Sequence, residues 1–139
     1  MPRSKMTVLD TGQREDYMGL DQYLYAGDEV DGTYEDGRRK GEEIGYWRKH
    51  PDLHAHIEAI WRAKGNEGEF NCVSCELTKE QVEHIIVCSH KRSFGEHDGT
   101  TGFFFGQTGD YQHEETIKIM TDALGHLLGG KKVWYSSWW

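Results

Sequence analysis

Proline is scarce in this chain, two in 139 residues, and cysteine numbers only three, at positions 72, 75 and 88. An odd count without a secretory leader is not the disulfide framework that staples small secreted domains. No apolar run is long enough to span a bilayer, and residues 1–17 lack the apolar core of a signal peptide. Positive charge is also short: 16 Lys plus Arg stand against 24 Asp plus Glu, a formal charge of -8. Duplex binding draws most of its affinity from basic side chains that displace phosphate counterions, so general DNA or RNA binding is excluded. A local basic pocket, or an acidic face for a basic partner, remains compatible with the balance. Together these absences predict a cytoplasmic protein with no membrane attachment.

What is present is ordinary for a folded domain: 36% apolar, 29% charged and 12% aromatic residues, the last including five Trp and seven Tyr. Rings in that number need walls to pack against, and the length suffices for a core. Residues 1–17 are polar and aperiodic, a loose leader before a single domain over 18–139. From Gly19 to Tyr25 the pattern alternates, with Leu20 and Leu24 on one side and Asp21, Tyr23 and Tyr25 on the other, as in a half-buried strand. Residues 27–43 hold seven acids and three bases and read as a mobile acidic loop. A second strand spans 44–48. Pro51 suits the first turn of a helix over 51–64, with Leu53, Ile57, Ile60 and Trp61 on one face. Residues 70–77 are extended. Thr78 with Gln81 then forms a capping box, with Leu77 stapling against Val82, for a helix over 78–90.

The apolar run 102–106 reads as a strand. Asp110 is the expected N-cap of a helix to Leu128 whose buried side is Ile117, Met120, Leu124, Leu127 and Leu128. Lys131 to Trp138 alternates as a last strand, Trp134 and Trp138 facing one way and Tyr135 the other. The expected fold class is α+β: one mostly antiparallel sheet of four or five strands covered by three amphipathic helices.

Four segments carry chemistry worth weighing. Tyr46, Trp47, Arg48, Lys49 and His50, running into His54 and His56, place two cations and flat rings beside a helix start, which suits an anion. Cys72 and Cys75, with His84, Cys88 and His90, supply enough donors to write a zinc site. An odd offset of three on an extended stretch, however, turns Cys72 and Cys75 to opposite sides, so separate thiols and no metal are expected. Gly102 to Gly109 has no Gly-Lys-Ser/Thr and cannot be a phosphate loop. Phe103 and Phe105 belong to the core, which leaves Phe104 to line a pocket. The aromatic C-terminus offers Trp138 as a stacking ring or an interface residue. No motif calls for a cofactor.

The blocks Met18 to Tyr25, Glu43 to His50, Leu53-His54, Phe70 to Cys72, Gly102 to Gly106 and Ser137 to Trp139 together resemble a family of small proteins common in tailed phages and found in bacterial genomes. Members typically begin Met-Gly-Leu-Asp-x-Tyr-Leu, carry Tyr-Trp-Arg-Lys and Gly-Phe-Phe-Phe-Gly, and end near Ser-Trp. The resemblance covers 18–139 and implies a phage- or prophage-borne accessory protein. Pro51 stands where relatives often have Asn, and Cys75 and Cys88 lie outside the pattern. Some relatives are labelled phosphoglycerate kinase, a two-domain enzyme several times longer whose nucleotide site has no counterpart here.

Three functions follow as expectations. The first is an anti-defence binding protein that holds an anionic planar small molecule, such as a nucleotide, against Tyr46, Trp47, Arg48, Lys49, His54, Phe104 and Trp138. The second is a module that inhibits a host protein through the acidic loop and surface rings. The third is a phosphate-ester enzyme using His54 as acid or base. An oligomer is compatible with each.

Overall fold

A computed structural model describes residues 19–100 and 105–139. The expected leader, Met18 and most of the expected strand over 102–106 lie outside the described residues. Four strands form one antiparallel sheet: β1 (Asp21–Gly27), β2 (Glu42–Arg48), β3 (Ser74–Leu77) and β4 (Lys132–Trp138), in the order β2-β1-β4-β3. Three helices join them, α1 (Pro51–Ala63), α2 (Lys79–Lys91) and α3 (Asp110–Leu128), with a short 3-10 turn at Gly95–His97. The α+β reading holds, with four strands among the described residues.

Strand alternation divides the sheet into two faces. Gln22, Leu24, Ala26, Trp47, Cys75, Leu77, Val133 and Tyr135 point to the helices and are almost wholly buried. Leu53, Ile57 and Trp61 of α1, Val82, Ile85 and Cys88 of α2, and Met120 and Ala123 of α3 complete that core. The other face carries Asp21, Tyr23 and Tyr25 from β1, Tyr46 and Arg48 from β2, and Trp134, Ser136 and Trp138 from β4. The register pairs these as Asp21 with Trp138, Tyr23 with Ser136 and Tyr25 with Trp134. This outer face carries no helix among the described residues and is crossed by the segment 28–41.

Helix starts are set by specific hydroxyls and amides. Thr78 Oγ1 accepts the Gln81 N–H at 3.1 Å while Gln81 Oε1 accepts the Thr78 N–H at 2.9 Å, the expected capping box. Thr78→Ala should therefore lower stability by about 1 kcal/mol, read from the urea midpoint at unchanged slope. His50, the N-cap of α1, makes no side-chain capping bond; Thr108 Oγ1, far along the sequence, accepts the Asp52 N–H at 3.1 Å.

Two expectations are corrected. Gly109, not Asp110, occupies the N-cap of α3, with its N–H donated to Gln112 Oε1 at 2.8 Å. Asp110 instead pairs with Arg92 at 3.0 Å. The buried side of α3 is Gln112, His113, Thr116, Met120 and Ala123, whereas Leu128 is 72% exposed. Tertiary partners explain the rotation. Gln112 Nε2 donates to the carbonyls of Arg48 and Lys49 at 2.7 and 2.9 Å, and Thr116 Oγ1 accepts from the Trp47 indole at 2.9 Å. Satisfied polar groups can go inside where hydropathy alone would leave them out.

Candidate functional site

The residues singled out around β2 and α1 divide between the two faces. Tyr46 and Arg48 lie on the outer face, where the Tyr46 hydroxyl donates to Asp21 Oδ1 at 2.7 Å and Arg48 Nη1 bridges the same oxygen at 3.1 Å. Trp47 points the opposite way and is 1% exposed. His54 is also in the core, with Nδ1 2.7 Å from the Tyr135 hydroxyl and its ring against Phe70 and Phe105. Lys49, at the end of β2, has a left-handed backbone with φ 61°. Its N–H goes to the Leu20 carbonyl at 2.8 Å. Phe104 lies outside the described residues. The expected single recess beside the start of α1 is thus not how these side chains are arranged: the period of two in β2 separates Trp47 from its neighbours, and the first-turn amide of Asp52 is taken by Thr108.

A recess does exist, on the outer face. It has a volume of about 670 Å³ and is lined by Tyr23 and Tyr25 of β1, Ser136, Ser137 and Trp138 of β4, Cys72, Val73 and Ser74 at the β3 edge, and Asp31 and Arg39 from the 28–41 segment. This size falls within the range of small-molecule pockets, about 300–1,000 Å³. Among the described residues of the sequence-derived set, Trp138 is the one that lines it. Its floor is aromatic: Tyr23 and Tyr25 stack at 6.1 Å, and Tyr25 stacks on Trp134 at 5.9 Å. A smaller chamber of about 160 Å³, lined by Tyr25, Gly32, Thr33, Gly41 and Trp134, adjoins it and shares Asp31 and Arg39.

The acidic segment that the sequence predicts to be mobile forms the wall. The Arg39 guanidinium sits 4.9 Å from the Tyr25 ring centroid, and Asp31 Oδ1 accepts the Ser74 hydroxyl at 2.9 Å, fastening the segment to β3. Gly41 is required here, since a Cβ would lie 2.7 Å from the Trp134 ring. Among the described residues four non-glycine positions have positive φ, and two of them, Asp31 at 60° and Cys72 at 61°, line the recess. Conformations that cost free energy and concentrate at one cleft are a recognised sign of a functional surface.

Titratable groups on the helical side behave as structure. Burial holds His54 down to about 4 and His50 to about 3, the latter with help from His113. His113 is also lowered, by burial and then by Arg92. Burial pushes the Tyr135 phenol up, so it remains protonated. A histidine 1% exposed, bonded to a neutral phenol, offers no route to a substrate. Cys72 is exposed at the recess. Cys75 and Cys88 are buried in the core, where burial raises both thiols. Cys88 Sγ lies 3.5 Å from His84 Nε2. Among the described residues no group of three or more His, Cys, Asp and Glu is arranged to hold a metal ion. No helix of the described residues is long and apolar enough to cross a membrane.

Reasoning from sequence missed Asp31, Arg39, Ser74 and Ser136 as recess residues. The alternation of β1 placed Tyr23 and Tyr25 together, but only the strand order brings β4 and the β3 edge beside them. Set against models of protein families, curated proteins and solved structures, the chain gives no match.

Proposed function

We infer that the protein binds a planar, anionic small molecule, such as a nucleotide, in the recess on the outer face of its sheet. The observation that carries this reading is one cation over one wall of rings: Arg39 stands at the Tyr25 ring beside Tyr23 and Trp138. Flat rings give a stacking surface for a base, and the planar guanidinium suits a phosphate or carboxylate. Among the described residues Arg39 has no carboxylate partner, whereas Arg48 is paired with Asp21. Affinity from one cation and a few rings can reside in a local site despite an overall charge of -8. The phage-family resemblance supplies a setting, an accessory protein that sequesters a signal used in host defence.

The interaction-module reading has less support, because the large exposed apolar residues Tyr34, Tyr46, Val87, Tyr111 and Leu128 are scattered over several elements. Enzymatic use of His54 requires access that its burial denies.

A thermal-shift screen of mononucleotides against the full chain tests the binding reading. At least one nucleotide at a hundred times its Kd should add about 2.7 kcal/mol of stability and raise Tm by several degrees. Arg39→Ala should weaken that nucleotide at least tenfold while Lys40→Ala leaves it unchanged. A screen with no shift for any member counts against the recess as a binding site.

A further inference from the structure

Where the 28–41 segment meets β3, the hydrogen-bonding character of the recess wall is lopsided, and that imbalance selects among planar anions. The Ser74 hydroxyl spends its proton on Asp31 Oδ1 at 2.9 Å, so its oxygen meets the recess with lone pairs only. A carboxylate is likewise an acceptor, with about four lone-pair sites over its two oxygens, of which Ser74 occupies one. Asp31 is set in position twice, by that bond and by its backbone at φ 60°. Arg39, a donor only, also lines both the large and the small chamber. The wall therefore presents acceptors at Asp31 and Ser74 and donors at Arg39, above a floor of rings.

A ring that fits this wall carries two adjacent N–H donors on one edge and an anion elsewhere. Guanine has that edge, its N1–H and its amino group side by side. Adenine sets an acceptor nitrogen beside its amino group, which would bring a lone pair against the carboxylate. We propose that the recess selects guanine nucleotides over adenine nucleotides, with Asp31 accepting from the N1–H and amino edge, the base lying on the Tyr23 and Trp138 side, and Arg39 holding the phosphate. The proposal rests on the recess being the binding site and adds the class of base to it.

Isothermal titration of the full chain with GMP and AMP tests the selection. GMP should bind about 10- to 100-fold more tightly, the discrimination that one good bidentate contact supplies. Asp31→Asn keeps the size of the side chain but puts a donor beside an acceptor, the complement of the adenine edge. It should remove the preference or turn it toward AMP, with circular dichroism and Tm confirming the fold. Equal affinity of the native protein for GMP and AMP overturns the guanine assignment and leaves the recess reading standing. A GMP preference unchanged in Asp31→Asn overturns the role of Asp31. Binding of neither nucleotide overturns the guanine assignment, and the absence of a shift across the whole mononucleotide screen overturns the recess reading as well. A guanine base can also reach the site within a single strand. The net charge of -8 predicts that a short G-containing oligonucleotide binds more weakly than GMP. Tighter binding of the oligonucleotide would overturn a free nucleotide as the ligand.

Discussion

Acidification to about pH 4.5 should unfold this protein reversibly, with Trp fluorescence and far-UV circular dichroism changing together. The cause is a set of imidazoles buried as neutral rings. His50 is 0% and His54 1% exposed, and burial depresses them to about 3 and about 4. His56, packed against His84, His97 and Phe94, is held to about 4, first by burial and then by His97 and His84. In the unfolded chain each titrates near 6.5. Between that value and its folded value the unfolded state binds the extra proton, so stability rises with pH through the window. The contribution is complete above about pH 6.5 and is lost as pH falls toward 4 and then 3. At about 1.4 kcal/mol per pH unit for each ring, His50 and His54 together forfeit about 5 kcal/mol by pH 4.5. That is comparable to the whole stability of a marginal domain, about 5–15 kcal/mol.

Two carboxylates also contribute. Burial raises Asp52, whose contribution has the opposite sign and is lost as pH rises through its folded value. Asp98, lowered first by the Ser93 hydroxyl, contributes above the carboxylate range and loses that contribution as pH falls through its folded value. The histidine effect is separable by substitution. His54→Phe removes one titrating ring from an aromatic setting of Phe70, Phe105 and Tyr135, and the Tyr135 phenol keeps Gln22 and Ser137 as neighbours. The slope of unfolding free energy against pH, from urea melts between pH 5 and 6, should fall by about 1.4 kcal/mol per pH unit, one proton's worth. Stability that stays flat from pH 6.5 to 4.5 in the native protein would mean these rings are not held neutral.

Much of this fold was readable where one local rule decides the outcome. Alternation placed Tyr23 and Tyr25 opposite Leu24, and Trp134 and Trp138 opposite Tyr135, because a strand has a period of two whatever its neighbours are. Thr78 and Gln81 announced a helix start because both partners of the box lie within four residues. The same period applied to β2 would have separated Tyr46 and Arg48 from Trp47. Grouping them by charge and ring content overlooked it. On α3, Met120 was readable as core, but the buried first turns were not, since Gln112, His113 and Thr116 enter the core through partners on β2 or from residues far along the chain. The recess belongs to the same class. Tyr25 meets Trp134 only through the β1–β4 register, and Arg39 reaches Tyr25 only because the 28–41 segment folds back across the sheet.

Trp47 is where that long-range logic should be most costly to disturb. Its indole N–H donates to Thr116 Oγ1 at 2.9 Å, Thr116 donates to the Gln112 carbonyl at 2.6 Å, and the Gln112 side chain donates back to the carbonyls of Arg48 and Lys49. This circuit locks the first turns of α3 to the end of β2. The ring itself is among the largest fully buried side chains and lies 6.5 Å from Tyr135. Trp47→Ala should cost about 3–5 kcal/mol, the range for emptying an aromatic site in a core. Trp47→Phe keeps most of the volume and loses the indole donor. Thr116 still donates to Gln112, so only an accepting lone pair is stranded, and the loss should be about 1–2 kcal/mol. Urea denaturation of the two variants at pH 7 separates the terms. A Phe variant as unstable as the Ala variant would place the energy in the hydrogen-bonded circuit rather than in packing. A loss below about 1 kcal/mol for Trp47→Ala would mean that β2 is not held by this ring at all.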